Sequence, residues 1–424
     1  MLSISTIVNN QESTVAGLKK RGLADAQAIT DQVITLDRHR RETQAELDDT
    51  LAKSKNLSRQ IGQLMKEGKR EEAESTKEQT AELKNSSKTL SEALRGYEEQ
   101  LQQALYNIPN LPHPSVPEGK SAEDNEVVYE YGELPKLSQE ALSHWELIEK
   151  YDIIDFTLGN KISGAGFPVY KGKGAQLQRA LVNFFLDEAR KAGYEEVQPP
   201  LLVNEDSGYG TGQLPDKEGQ MYEVVDQKLY LIPTAEVPIT NLYRDVILRE
   251  SDLPVKKSGY TPCFRREAGS WGAHVRGLNR LHQFDKVEIV QIQHPHHSYT
   301  ALEEMALHVR QLLEQLELPY RVLKLCAGDM GFTSALTYDM EVYSAAQQMW
   351  LEVSSVSNFE TYQANRLKLR YKNQDNKTQL LHTLNGSALA LPRIVAAILE
   401  NNQQPEGVKV PKVLVPYTGF DTIS

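Results

Sequence analysis

The sequence predicts an α+β protein: a long antiparallel helical hairpin followed by a domain on an antiparallel β-sheet. Three observations carry that prediction. Apolar residues recur at three-four spacing over residues 27–107. Four prolines then fall within nine residues, and strand-like segments after them cluster without regular helical crossovers.

In the first arm, Val33, Leu36, Leu47, Leu51, Leu57, Ile61 and Leu64 mark the expected seam. In the second, Leu90, Leu94, Tyr97, Leu101, Ala104 and Ile108 do so. Most other positions are Glu, Gln, Lys, Ser and Arg, suited to solvated helix faces. Gly68 supplies the turn between arms. Each arm, at about 40 residues, spans about 60 Å. Two readings of the hairpin stand: a dimerising coiled coil, or an arm that binds a partner. Lys53, Lys55, Arg59, Lys66, Lys69 and Arg70 at the distal end favour an anionic partner, and Glu67, Glu71, Glu72 and Glu74 dilute that preference.

Pro109, Pro112, Pro114 and Pro117 cannot continue a helix and mark a boundary. The expected domains are 1–108, a linker over 109–125, and 126–424. Within the last, helices are predicted over 173–192, 297–316 and 391–402. Strands are predicted over 197–203, 228–232, 257–264, 281–292, 320–325 and 348–357.

The bulk properties set limits. The 424 residues are 40% hydrophobic and 25% charged, ordinary for a soluble protein. No apolar run reaches about 18 residues, so no membrane span is expected. Met1–Asn10 has no secretory pattern. Two cysteines, Cys263 and Cys326, exclude a disulfide scaffold and fit a reducing cytoplasm. A net charge of −11 excludes indiscriminate grip on nucleic acid; a nucleic-acid partner must be met by local patches and shape.

Several segments suit anions and a small polar ligand. Arg265 ends a strand and can clamp a phosphate bidentately, and Glu267 can accept from an amino group. A Gly-rich loop follows, and the chain returns through Leu281 to Phe284, whose ring offers a stacking face. Taken alone, Arg-x-Glu more often means a surface salt bridge. Thr234 reads most simply as a helix N-cap with Glu236 in the first turn. Strict alternation puts Glu352 and Ser354 on one strand face and Ser355 on the other. Pro392 and Arg393 enter a helix, where an arginine can meet a polyphosphate. His294, His296 and His297 form a solvated turn more readily than a metal site, and Cys263 reads as a small buried residue.

Together and in order, these segments resemble the class II aminoacyl-tRNA synthetases. Gly193–Pro200 looks like their motif 1, the dimer-interface element. Arg265-x-Glu267 with Phe284 looks like motif 2, and Gly386–Arg393 looks like motif 3. Within that class, Thr234-Ala235-Glu236, Gly328–Phe332, Glu352–Asn358, Gln363–Arg366 and Leu384–Ser387 are similar to the seryl-tRNA synthetase family, as is the arm–linker–catalytic layout. The resemblance covers nearly the whole chain.

It implies an ATP-dependent enzyme that forms seryl-adenylate and charges tRNA(Ser), with tRNA(Sec) also allowed. Arg265 would hold the α-phosphate and the serine carboxylate side, and Arg393 the γ-phosphate. Glu267 and Phe284 would bind the adenine and Leu281 would also contact ATP, while Glu352 and Ser355 would ligate Mg²⁺. Thr234, Glu236, Glu288, Asn385 and Ser387 would line the serine pocket. Which of Glu236 and Glu288 meets the ammonium stays open. The layout implies a cytoplasmic homodimer whose arm meets tRNA. Two departures stand out. Ala273 and His274 replace a basic residue and an Asp beside Trp271, which bears on acceptor-end contacts. Ala388 and Ala390 replace glycines in motif 3. Competing readings are a class II enzyme for another amino acid or a carrier protein, and a non-catalytic coiled-coil adaptor.

Overall fold

The structure, a computed structural model, describes residues 1–216, 219–267 and 276–424. It divides into two compact units, Met1–Pro109 and Asn110–Ser424.

The first unit holds two short helices, α1 (Ile4–Asn9) and α2 (Gln11–Lys20), and two long ones, α3 (Ala26–Lys66) and α4 (Arg70–Tyr106). Helices α3 and α4 pack along each other as the expected hairpin, and α1 and α2 pack on α3. Gly68, at φ +80°, gives the turn a backbone that other residues adopt only at a cost. The seam differs from the expected leucine row. Leu51 is 49% exposed, and Thr50, Ser54, Thr76, Thr80 and Ala73 are buried instead. Leu105, not Ala104, is the buried residue near the end of α4. The reason is local. Thr76 and Thr80 donate their hydroxyls to the carbonyls of Glu72 and Thr76, at 2.7 and 2.8 Å, so small hydroxyl residues are satisfied inside a thin seam. Asp37 is buried in α3 but pairs with Arg40 at 2.8 Å and Arg41 at 2.7 Å.

The second unit is organised by an eight-stranded sheet. Its strands are β1 (Glu126–Tyr131), β2 (Glu195–Glu196), β5 (Val255–Phe264), β6 (Gln283–Gln293), β7 (Tyr320–Lys324), β8 (Leu336–Ser344), β9 (Met349–Asn358) and β10 (His382–Ala390). The spatial order is β1-β7-β8-β9-β10-β6-β5-β2. Every pairing is antiparallel except β2 with β5. The strands β3 (Leu202–Asn204) and β4 (Leu229–Leu231) pair in a separate small sheet. The helices used below are α5 (His144–Lys150), α6 (Gly172–Lys191), α7 (Glu236–Asn241), α8 (Ser298–Gln315), α9 (Thr361–Leu367) and α10 (Leu391–Asn401). Apolar faces of α6, α8 and α10 form the main core with the sheet; Leu177, Leu181, Phe184, Leu312 and Ile394 are fully buried.

The predicted strand over 197–203 is broken. β2 stops at Glu196, before it begins, and β3 starts only at Leu202, because Pro199 and Pro200 offer no N–H to a ladder. The Pro-rich segment is anchored rather than free. Asn110 donates its backbone N–H to Phe332 and its side-chain amide to Thr333 and Phe359 carbonyls, and His113 donates to Ala335. Among the described residues, no helix is long and apolar enough to cross a membrane.

Candidate active site

The sheet turns alternate residues of each strand to opposite sides. Along β6, Val287 and Ile289 enter the core, whereas Phe284, Lys286 and Glu288 line a cavity of about 640 Å³. The same cavity receives Arg265 and Glu267 from the end of β5, Glu352 and Ser355 from β9, and Asn385 and Ser387 from β10. Thr234, Glu236, Leu281 and Arg393 complete the set singled out from the sequence. The structure thus brings all of these residues to one place.

Arg265 is fixed by its surroundings but keeps its charge free. Its backbone N–H donates to the His282 carbonyl at 2.9 Å, and its Nε donates to the Pro233 carbonyl at 3.3 Å. Its guanidinium sits 5.3 Å from the centre of the Phe284 ring. Arg265 and Glu267 do not pair, so the surface-bridge reading of Arg-x-Glu fails here. Glu267 instead pairs with Arg280, and its N–H donates to Gln220 Oε1. Arg393 lies in the first turn of α10; its Nε donates to the Asn279 carbonyl at 3.1 Å and its Nη1 to the Glu352 carbonyl at 2.7 Å. Neither Arg265 nor Arg393 has a carboxylate partner among the described residues. Two uncompensated guanidinium groups facing one cavity make it a site for anions.

At the deep end, the Thr234 hydroxyl accepts the Glu236 N–H at 3.3 Å, a capping contact one residue before the formal cap position. Helix α7 begins at Glu236 with Ala235 in the cap position. The same hydroxyl also donates to Glu288 at 3.0 Å and accepts from Lys286 at 2.8 Å. Lys286 pairs with Glu288 at 2.5 Å, and both are nearly buried. Glu236 accepts from Gln363 Nε2 at 2.6 Å. Burial, reinforced by the neighbouring Glu288 charge, pushes its carboxyl up to about 7. Asn385 is buried and its side-chain amide acts on the Glu236 carboxyl, working against the rise. Carboxylates, a hydroxyl and an amide are what a small zwitterion with a hydroxyl requires.

The alternation expected for β9 is corrected by a bulge. Met340 faces Ser354 and Glu341 faces Glu352, which leaves Val353 as the extra residue. The pattern resets, so Glu352 and Ser355 both reach the cavity. Ser354 is buried, with its hydroxyl donated to the Ser387 carbonyl at 2.6 Å. Ser355 donates to Asp339. Burial, with the Glu352 charge beside it, holds the Asp339 carboxyl well above the usual range. Two neighbouring acidic groups and a hydroxyl, with no cationic side chain paired to them among the described residues, fit a hard divalent cation.

Sequence reasoning missed Lys286, Arg280, Asp339 and any role for Gln363. Lys286 carried a signal, since it shares the period-two face of Phe284 and Glu288. Asp339 had none. The departures at Ala273 and His274, and Trp271 beside them, lie outside the described residues. Ala388 is fully buried in the core, while Ala390 lines the cavity. His294 is committed to hydrogen bonds, accepting from the His296 N–H and sharing 2.9 Å with the Tyr371 hydroxyl. Cys263 is fully buried, and burial raises its thiol.

An antiparallel sheet with an arginine at one strand end, a stacking phenylalanine on the returning strand and a second arginine opening the closing helix defines a class II aminoacyl-tRNA synthetase core. The core model of that class (its G, H, P, S and T group) matches residues 222–402, and the seryl-tRNA synthetase N-terminal domain model matches residues 1–112. The serine–tRNA ligase of Salinibacter ruber is 50% identical, with 100% of this chain and 99% of the relative covered. That of Akkermansia muciniphila is 47% identical at the same coverage. The crystal structure of seryl-tRNA synthetase from Pyrococcus horikoshii complexed with ATP superimposes with a TM-score of 0.93 at 33% identity, covering 100% of this chain and 99% of that one. The Naegleria fowleri cytoplasmic enzyme in complex with AMP gives 0.87 at 26% identity and equal coverage. The chain belongs to the serine–tRNA ligase family.

Proposed function

We propose that this cavity condenses L-serine with ATP to seryl-adenylate and pyrophosphate, then passes the seryl group to the 3′ end of tRNA(Ser). The observation that carries the reading is the pairing of two free guanidiniums, Arg265 and Arg393, with the buried Thr234–Glu236–Glu288 set in one cavity. The serine carboxylate attacks the α-phosphorus, and pyrophosphate leaves. No protein nucleophile is required. Arg265 offsets charge growing at the α-phosphate and Arg393 charge at the leaving end, so catalysis is alignment and electrostatics. Phe284 stacks on the adenine; Leu281 lies beside it, and Glu267 accepts from its amino group once Arg280 yields that carboxylate. Glu352 and Ser355 would hold Mg²⁺, which supplies positive charge to the phosphates. The helical arm meets tRNA by shape and backbone contacts, and two copies associate through the 193–200 segment. The chain works in the cytoplasm.

Amino-acid-dependent pyrophosphate exchange tests the reading. Serine is expected to support exchange, and alanine to fall behind by about 10³-fold or more, because it leaves buried acceptors unpaired. Exchange with another amino acid and none with serine overturns the proposal.

Glu236 adds a pH dependence. Its folded carboxyl sits near 7, above the ordinary value of 4.5. Below about 4.5 both folded and unfolded chains carry the proton and no penalty applies. As pH rises through about 7, the folded chain must ionise a buried group and stability is lost. The ionised form is the one that pairs an ammonium. The serine KM is therefore expected to fall as pH rises from 6 to 8. Glu236→Gln is expected to raise the melting temperature at pH 8, by up to about 3 kcal/mol of stability, while weakening serine. A serine KM flat across that range excludes Glu236 as the ammonium partner.

A further inference from the structure

Arg393 is held by the Asn279 carbonyl, and Asn279 belongs to the turn Gly277–Asn279. What holds that turn comes from outside the cavity. His144, at the start of α5, is fully buried. Its Nε2 accepts the Leu278 N–H at 2.9 Å. An acceptor Nε2 means the ring is neutral with its proton on Nδ1, and Nδ1 donates to Glu400 Oε1 at 2.8 Å. Glu400 is in the last turn of α10, the helix whose first turn carries Arg393. Burial works to raise its carboxyl, but hydrogen bonds from His144 and Ser344 outweigh burial and hold it below the usual range. A second tie runs beside the first: Gln347 donates to Glu400 Oε1 at 3.1 Å and accepts from Asn279 Nδ2 at 2.8 Å. Gly277, at φ +67°, lies so close to the imidazole that an added Cβ would sit 2.2 Å from Nε2.

We propose that His144 is a positioning residue, which with Glu400 sets the Leu278–Asn279 backbone so that the Asn279 carbonyl aims Arg393 at the nucleotide. The device rests on the ATP-activating reading above. It is a closed loop: one helix presents Arg393 at one end and braces it from the other, through His144 and the turn. Only the ATP side passes through it. Thr234, Glu236 and Glu288 are held by other partners.

Two variants separate positioning from packing. Gln at 144 carries an amide oxygen far enough from the backbone to accept from Leu278. Asn at 144 carries an amide near the Nδ1 position, so it meets Glu400 but falls short of Leu278. In serine-dependent pyrophosphate exchange with the full chain, His144→Asn is expected to raise the ATP KM about tenfold and leave the serine KM within about twofold. His144→Gln is expected to retain most of the ATP affinity. Should either variant fail to fold, Gln347→Ala, at a partly exposed position, cuts the parallel tie. It is expected to raise the ATP KM alone. The reverse order (Asn tolerated, Gln damaging) or a parallel rise in both KM values overturns the proposal. So does an unchanged ATP KM in folded His144→Asn or Gln347→Ala. Absence of exchange in the unsubstituted chain would instead sink the activation reading itself.

Discussion

Arg265→Ala is expected to cut serine-dependent pyrophosphate exchange by on the order of 10³-fold, mostly in kcat. Loss of one neutral donor to a developing charge costs roughly 10²–10³-fold, and Arg265 brings a full charge and two parallel donors. The fold should tolerate the change. Arg265 is only partly buried, and its visible attachments are one bond to the Pro233 carbonyl and its approach to the Phe284 ring. Together these account for about 1–2 kcal/mol. Arg265→Lys is a stricter test, since it keeps the charge and loses the fork; it should recover little of the activity. Near-normal exchange by the alanine variant, with its thermal transition intact, would remove Arg265 from the reaction.

How much of this site was legible beforehand depended on the kind of signal. Arg265, Phe284 and Glu288 could be read because a strand–loop–strand pattern sets which residues share a face, and period two is local. Arg393 could be read because Pro392 marks a helix start. What failed was set by partners distant in sequence. The extra residue Val353 belongs to the pairing of β8 with β9, and nothing within 352–355 announces it. Thr234 read as a cap and its hydroxyl does take the Glu236 N–H, but its bonds to Lys286 and Glu288, more than fifty residues on, could not be read locally. His144 gave no signal, because its meaning lies in Leu278 and Glu400, 134 and 256 positions away. In the arm the error was one of scale. A seam two helices wide buries so little that small polar residues share it with Leu, and Thr76 and Thr80 bond their hydroxyls back one turn.

The arm supports the second large prediction. Every residue assigned to adenylate formation lies in the unit Asn110–Ser424, and none lies in Met1–Pro109. Removing residues 42–94 and joining the ends with a two-residue Gly turn shortens the hairpin at a natural place. His39 and Tyr97 face each other with ring centroids 5.4 Å apart, and the Asp37–Arg40–Arg41 cluster stays. The base, where Ile7, Leu18, Ala26, Val33 and Leu101 are buried, keeps its packing. Serine-dependent exchange should match the full chain within about twofold, because alignment of serine and ATP draws on nothing in the arm. Charging of tRNA(Ser) should fall by roughly 100-fold or more in kcat/KM, equivalent to about 3 kcal/mol of lost tRNA binding. The bulk of the chain cannot replace that loss: a molecule at −11 repels phosphate overall. The arm tip offers Lys55, Arg59, Lys66 and Arg70 without acidic partners among the described residues, whereas Lys53 and Lys69 are tied to Asp49 and Glu67. A contact that neutralises four phosphates should weaken by roughly 100-fold over a fourfold rise in salt. Charging by the full chain should therefore weaken with added salt, whereas serine-dependent exchange should not follow that slope. Retained charging by the shortened protein would assign the hairpin to association between copies, the other reading its heptad-like spacing allows.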